Sequence, residues 1–125
     1  MEVEKHQPRK PNTISAGESL TAQIISGDGL PEDLSDLVFN QCQFEKVSFV
    51  GLALQDSAFE QCLFNNCNFA SVQFRTVKFR KCEFYDKSTE KGCNFTFSVL
   101  QDFGFDHCDL TLCDFSRSQI YLSKL

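Results

Sequence analysis

Cysteine and histidine are the side chains of this 125-residue chain whose chemistry could make it a metal site or a catalyst. Seven cysteines could hold a metal or take part in disulfide and redox chemistry, while the two histidines, His6 and His107, stand far apart in the sequence. No nucleophile–base pair, glycine-rich phosphate loop or HExxH motif accompanies them in the sequence. We therefore expect no catalytic residues, no bound metal and no cofactor, and we expect that the chain is not an enzyme.

The spacing of the cysteines indicates a packing role. Each cysteine lies two residues before a large apolar residue, and these apolar centres recur every fifth position with one gap of eleven. A buried thiol packs as a small hydrophobe, and the other residues at the cysteine position are mostly small or β-branched. A redox or metal-binding role is the alternative, and it requires thiols that react in the native protein. The centres are Phe39, Phe44, Phe49, Leu54, Phe59, Phe64, Phe69, Phe74, Phe79, Phe84, Phe95, Leu100, Phe105, Leu110, Phe115, Ile120 and Leu125.

A five-residue period requires a backbone that turns a corner at every repeat. The period fits neither an α-helix, at about 3.6 residues per turn, nor a flat strand, at about 2.0. Four repeats close a square coil, and successive coils stack at the β-sheet spacing of ~4.8 Å. The predicted fold class is all-β, a quadrilateral parallel β-helix (a solenoid) with one loop insertion. Stepping by four repeats predicts four inner columns: Phe39, Phe59, Phe79, Phe105 and Leu125; Phe44, Phe64, Phe84 and Leu110; Phe49, Phe69, Phe95 and Phe115; Leu54, Phe74, Leu100 and Ile120.

Residues 1–33 differ in composition from the periodic part, residues 34–125. They begin with a polar stretch in which prolines stand next to basic residues, and they end in an acidic, turn-rich stretch. This composition predicts that the first dozen or so residues are disordered. Residues 20–25 are predicted to form one short strand that covers the first coil. Leu34 is a candidate for one further centre.

Composition and charge narrow the class of protein. The net charge is −5, whereas proteins that bind nucleic acid non-specifically are normally basic. No apolar run approaches the roughly 18 residues that a membrane span needs, and the polar start of the chain has no apolar segment of a secretory signal. We expect a cytoplasmic protein with reduced thiols that contacts neither a membrane nor nucleic acid directly.

The repeat pattern of residues 37–125 resembles that of the pentapeptide-repeat family. The resemblance rests on consecutive five-residue repeats that share one apolar centre and one small residue two positions before it. It implies a right-handed, four-sided solenoid. It also implies that the gap between Phe84 and Phe95 is a loop that bulges from the solenoid, and loops on rigid scaffolds often carry binding residues.

The interrupted segment narrows the resemblance. The sequence CEFYDKSTEKGCNF, followed by Leu100, Cys108-Asp109-Leu110 and Asp114-Phe115, is similar to the first-loop region of the Qnr quinolone-resistance proteins. This implies a non-enzymatic protein that binds DNA gyrase or topoisomerase IV by DNA-like shape and protects these type II topoisomerases from quinolones. By resemblance the partner-binding residues are those of loop 85–92, namely Tyr85, Asp86, Lys87, Ser88, Thr89, Glu90, Lys91 and Gly92.

A second candidate surface is acidic. Members of this family can mimic the charge of DNA, and carboxylates gather late in the chain, although a solvated surface of mixed charge explains them equally well. The acidic residues are Asp102, Asp106, Asp109 and Asp114.

The alternative function is a pentapeptide-repeat interaction module whose protein partner is unrelated to DNA enzymes.

Qnr proteins are longer than this chain, with a second loop and a C-terminal helical module. We therefore expect a short relative, a part of a longer protein, or one half of a rod that associates with itself. Self-association would use the apolar C-terminal coil, which contains Ile120, Tyr121, Leu122 and Leu125.

Overall fold

The computed structural model describes residues 8–27 and 29–121, and within these ranges the chain is the four-sided parallel solenoid that the repeat predicts. Corner residues make the coil square. Sixteen described non-glycine residues have φ between 46° and 61°, and all except Glu90 lie two positions after a centre. This left-handed conformation is unfavourable for a residue with a Cβ atom. The conformation is stabilised here because each corner turns the chain so that the next apolar centre packs into its column in the core.

The corners keep most strands short. All pairings between successive coils are parallel, and the one antiparallel pair of strands in the described ranges joins β9 to β10. A short 3-10 helix at Pro11–Thr13 precedes the strands. The strands are β1 (Ser19–Thr21), β2 (Ile24–Ser26), β3 (Asp33–Ser35), β4 (Val38–Asn40), β5 (Gln43–Glu45), β6 (Ala53–Glu60), β7 (Leu63–Asn65), β8 (Gln73–Arg80), β9 (Tyr85–Asp86), β10 (Lys91–Gly92), β11 (Val99–Asp106) and β12 (Gln119–Tyr121).

Four faces run along the solenoid, and we name each by its inward-facing centres. Faces A and D share the largest sheet, in which the strand order is β1-β4-β6-β8-β11-β12 with β3 beside β6. Face B holds the sheet β2-β5-β7, and face C is joined by single bridges rather than strands. The centres are Leu20, Phe39, Phe59, Phe79 and Phe105 on face A; Ile25, Phe44, Phe64, Phe84 and Leu110 on face B; Phe49, Phe69, Phe95 and Phe115 on face C; Leu34, Leu54, Phe74, Leu100 and Ile120 on face D.

The core is a set of stacked rings, which confirms the predicted columns for the described residues; Leu125 lies outside them. On face B the ring centroids of Phe44 and Phe64 are 4.7 Å apart, and those of Phe64 and Phe84 are 4.6 Å apart. Rings of neighbouring faces meet edge to face, as Phe64 and Phe69 do at 5.5 Å. Each such pair adds about 0.5–1.5 kcal/mol to the free energy of burial.

The cysteines pack as the spacing indicates. All seven are free thiols, and five are buried while Cys108 and Cys113 are half-buried. The thiols donate to carbonyl groups one coil below, as Cys82 Sγ does to the oxygen of Phe59 at 3.4 Å. Burial raises the pKa of Cys67 to about 12 and also raises that of Cys93, so both stay protonated at neutral pH. Within the described ranges, no three His, Cys, Asp or Glu side chains are gathered as a metal site requires.

Stacking reaches further towards the N-terminus than residue 34. Instead of one strand within residues 20–25 there are two, and they pair with β4 and β5 so that Leu20 lies under Phe39. Residues 1–7 of the stretch predicted to be disordered lie outside the described residues. Residues 8–13 of the same stretch are ordered: Pro11 is buried, and Arg9 pairs with Ile25 and forms an ion pair with Glu18 at 3.0 Å. The prediction of disorder rested on polar composition, which does not reveal contacts with residues distant in the sequence.

Burial declines in the last described coil. Phe105, Leu110 and Phe115 are only partly buried, and the Ile120 side chain is 49% exposed. Leu122 and Leu125, which belong to the predicted self-association surface, lie outside the described residues. Self-association through this coil stays a prediction.

Candidate functional site

A β-hairpin replaces one corner of the solenoid between faces B and C. Phe95 follows Phe84 by eleven positions rather than five, so six residues are inserted. Strands β9 and β10 pair antiparallel, and residues 87–90 form the turn between them. The amide of Cys93 donates to the carbonyl of Phe84 at 3.1 Å, which closes the base of the hairpin. The core therefore continues beneath the loop, with the rings of Phe84 and Phe95 5.6 Å apart.

Asp86 fastens the hairpin from below. Its side chain is 9% exposed, and Oδ1 accepts hydrogen bonds from the amide of Ser88 at 2.9 Å and from its hydroxyl at 2.8 Å. Oδ2 accepts from Nδ2 of Asn66, a corner residue one coil below, at 2.8 Å. The hydroxyl and then the amide of Ser88 hold the pKa of Asp86 below its ordinary value. The carboxylate is therefore ionised at neutral pH.

Gly92 fastens the hairpin from above. A Cβ atom on Gly92 would lie 2.4 Å from the carbonyl carbon of Leu112 and 2.5 Å from the carbonyl oxygen of Thr111. Both atoms belong to the backbone of the next coil and cannot turn aside, so only glycine fits. The base of the loop is thus held between Asn66 on one coil and Leu112 on the next.

The tip of the hairpin points into solvent. Of the eight predicted contact residues, Tyr85 is half-buried, whereas Asp86 and Gly92 are enclosed by the packing described above. Their positions suit them to shaping the loop rather than touching a partner. The five residues with exposed side chains are Lys87, Ser88, Thr89, Glu90 and Lys91. That they bind a partner stays a prediction.

Comparison with known proteins agrees with the geometry of the fold. A family model for pentapeptide repeats matches residues 42–80 as eight copies. The chain is 48% identical over 33 residues to the quinolone resistance pentapeptide repeat protein QnrB96 of Scandinavium goeteborgense, and 50% identical over 34 residues to the pentapeptide repeat protein QnrB4 of Escherichia coli. These segments cover 26% and 27% of this chain. They span only 15% and 16% of the two relatives.

A solved structure extends the match. The trypsin-treated R167E form of QnrB1, a plasmid-mediated fluoroquinolone resistance protein, superposes with a TM-score of 0.53 at 28% identity. The superposition covers 78% of this chain and 38% of QnrB1. Residues 42–80 thus match the pentapeptide-repeat family, and the fold of the chain resembles that of the Qnr protein QnrB1. Within residues 8–27 and 29–121 of this Qnr-like protein, no helix is long and apolar enough to span a membrane.

Two of the four late acidic residues pair with cations. Asp102 lies 3.9 Å from Nζ of Lys78, and Asp106 lies 3.6 Å from Nε of Arg80. Arg80 also pairs with Glu60 one coil below, at 2.6 Å. These exposed pairs form a ladder of alternating charge along face A, and each contributes about 0–1 kcal/mol.

The other two of the four late acidic residues, Asp109 and Asp114, stabilise turns. Oδ1 of Asp109 accepts the amide of Thr111 at 3.0 Å, and Oδ1 of Asp114 accepts the amide of Ser116 at 2.9 Å. The hydroxyl of Thr111 or Ser116 and then its amide lower the pKa of each carboxyl. Asp109 lies on face B and Asp114 on face C, so the four acids ring the upper coils rather than forming a patch on one face.

Sequence reasoning missed two kinds of residue at this site. Asn66 carries no repeat signal of its own, and its only clue is a position twenty residues before Asp86. Phe97 and Leu112 are corner residues with exposed side chains, at 57% and 68%. The sequence offered a signal for them: each is a large apolar residue two positions after a centre, where the other described residues are polar or small.

Proposed function

We propose that this Qnr-like protein is a non-enzymatic, cytoplasmic partner of a type II topoisomerase, DNA gyrase or topoisomerase IV, and protects it from quinolones. The hairpin at the corner between faces B and C is the contact with the enzyme. The observation that carries the proposal is the mounting of this hairpin: Asp86 and Gly92 hold it between two coils while residues 87–91 stay exposed. The named similarity to quinolone resistance proteins supports the choice of partner.

Shape rather than dense negative charge supports recognition of a DNA-binding enzyme. The solenoid is a stack of parallel coils with four faces, a shape that suits a surface that normally accepts a duplex. The four late carboxylates, among the described residues, do not form an anionic strip, because Asp102 and Asp106 pair with Lys78 and Arg80. In this proposal, the shape of the solenoid sets the orientation of the complex, and the hairpin determines which protein is bound.

A supercoiling assay tests the proposal. Purified protein is added to DNA gyrase or topoisomerase IV with ciprofloxacin, and we expect it to preserve enzyme activity. The matched variant lacks residues 87–92, which restores the five-residue spacing between Phe84 and Phe95 and puts Asp86 at the corner position. Asp is among the residues that tolerate a left-handed corner, so this variant is expected to fold and to lose protection. No protection by the wild-type protein at a large molar excess would contradict the proposal.

An interaction module with an unrelated protein partner is the second candidate. The short stretch shared with the two sequence relatives, 15% and 16% of their lengths, favours it because most of a Qnr protein has no counterpart in the match. Affinity capture from a bacterial lysate separates the candidates. Recovery of topoisomerase subunits by the wild-type protein, but not by the loop deletion, supports the first; capture that recovers none supports the second.

A further inference from the structure

Two corner residues of the solenoid have side chains that the fold does not require. Among the fifteen described non-glycine corners of the solenoid with positive φ, only Phe97 and Leu112 carry a large apolar side chain. Their φ values are 59° and 57°, a region that bulky residues rarely adopt. Both are also more than half exposed. In the isolated protein each residue therefore carries two costs: a strained left-handed backbone and an apolar side chain exposed to water. Residues with a strained backbone cluster at functional sites.

Both side chains lie beside the hairpin. The carbonyl of Leu112 meets Gly92 at the base of the loop, so Leu112 extends the loop's edge by one coil. Phe97 lies at the opposite edge of face C, on the corner that follows Phe95. One coil above Phe97, the guanidinium of Arg117 lies 5.8 Å from the centre of its ring. Leu112 and the Phe97–Arg117 pair thus flank the upper part of face C.

The surface between them is polar. On face C the side-chain oxygens of Asn94 and Asp114 accept the amides of Thr96 and Ser116, at 2.7 Å and 2.9 Å, so these groups are satisfied within the chain. Such short side chains offer a partner contact area without a protruding obstacle. The apolar anchors of this surface are therefore the two corners, and binding energy commonly concentrates in a few apolar or aromatic anchors.

We propose that Phe97 and Leu112 form, with the exposed tip of the hairpin, one docking surface for the topoisomerase. This proposal rests on the proposed function. The occupant has two apolar recesses, one of them bordered by a carboxylate, because Arg117 places a cation beside Phe97. Continuity with the hairpin selects this occupant, since Gly92 and Leu112 are in direct backbone contact and a partner that grips the loop meets Leu112 as well.

Substitution by asparagine separates a binding role from a structural one. Asparagine adopts the left-handed corner more readily than leucine or phenylalanine, so the variants relieve strain while they remove the anchors. We expect Leu112→Asn to raise Tm by about 2 °C, and Phe97→Asn, which loses the contact with Arg117, to leave Tm within about 1 °C. Binding to gyrase or topoisomerase IV, measured by biolayer interferometry, is expected to weaken about tenfold in each variant. Gln61→Asn, at a left-handed corner on another face, is the control and is expected to bind as the wild type does.

Each other outcome counts against the inference. Wild-type binding by Leu112→Asn and Phe97→Asn, together with lost binding by the variant lacking residues 87–92, overturns the apolar anchors and leaves the proposed function standing. Weaker binding accompanied by a lower Tm in both variants assigns the side chains to folding and overturns the inference. Absence of binding and of protection by the wild-type protein removes the proposed function and this inference together.

Discussion

Faces A and D keep the five-residue repeat from coil to coil, whereas the corner between faces B and C interrupts it once. In the regular part, each corner is a single left-handed residue, and the centres of each coil lie over the centres of the coil below. At the break, a hairpin takes the place of the corner, and its attachment depends on the combined contacts of Asp86, Asn66 and Gly92. The regular part is thus stabilised by many similar contacts. The hairpin depends on a few different ones, so the two parts should respond differently to substitution.

The largest expected effect is in the regular part. Phe64→Ala removes a fully buried ring that stacks on Phe44 and Phe84, and it should lower the free energy of unfolding by about 3–5 kcal/mol. Chemical denaturation monitored by circular dichroism measures the loss. Val38→Ala, at a side chain on face A that is 47% exposed, is the control and should change stability by less than about 0.5 kcal/mol. A loss near that of Val38→Ala at residue 64 would show that the column does not stabilise the fold as described.

Gly92→Ala tests the upper attachment of the hairpin. The added Cβ would meet backbone atoms of Leu112 and Thr111, so the hairpin or the next coil must move, at a cost of about 1–3 kcal/mol. Gly104→Ala is the matched control, because a Cβ there would meet only the flexible side chain of Lys78, at 3.7 Å. Thermal denaturation of both variants measures the difference. Equal Tm values for the two variants would mean that Gly92 is not confined by the coil above it.

The contrast between these two glycines shows what a single sequence can predict. The period predicted the columns, the faces and the place of every cysteine, because one rule repeated many times needs no knowledge of distant contacts. It also marked the loop, where the rule fails. It could not distinguish Gly92 from Gly104, since the backbone that confines Gly92 lies twenty residues away, on the next coil. Nor could it show that Asp86 turns inward to Asn66, because both residues read as ordinary polar positions.

Asn66→Gly tests the lower attachment and should have a smaller effect on global stability. Glycine keeps the left-handed corner at residue 66 but removes the amide that donates to Asp86. We expect the hairpin to open more often, so that amide exchange at Ser88 and tryptic cleavage after Lys87 and Lys91 become several-fold faster. Gln61→Gly, at a corner away from the loop, controls for added chain flexibility. Unchanged cleavage in Asn66→Gly relative to Gln61→Gly would show that Asp86 and Ser88 hold the hairpin without Asn66.

The smallest expected effect concerns acid sensitivity, which should be shared between the hairpin and the turns of face C. The folded-state pKa values of Asp86 and Asp114 are lowered by hydrogen bonds from Ser88 and Ser116. Their contribution to stability is therefore fully present above the ordinary pKa of aspartate in the unfolded chain. It is lost as pH falls through the lower folded-state values. Asp114→Asn should leave Tm at neutral pH within about 1 °C, since Asn68 and Asn94 accept the same turn hydrogen bond on the coils below.

The same variant should flatten the decline of Tm with pH only slightly, because its neutral amide no longer titrates. Asp86→Asn differs in one respect: an amide at that position must turn its oxygen either to Ser88 or to Asn66, and it cannot accept from both as the carboxylate does. Asp86→Asn should therefore flatten the pH profile and also lower Tm at neutral pH. Differential scanning fluorimetry between pH 7 and pH 2 measures both effects. Identical profiles for the two variants would mean that Asp86 contributes no more to stability than the carboxylate of an ordinary repeat turn. The difference between the hairpin and the regular coils would then depend on Gly92 alone.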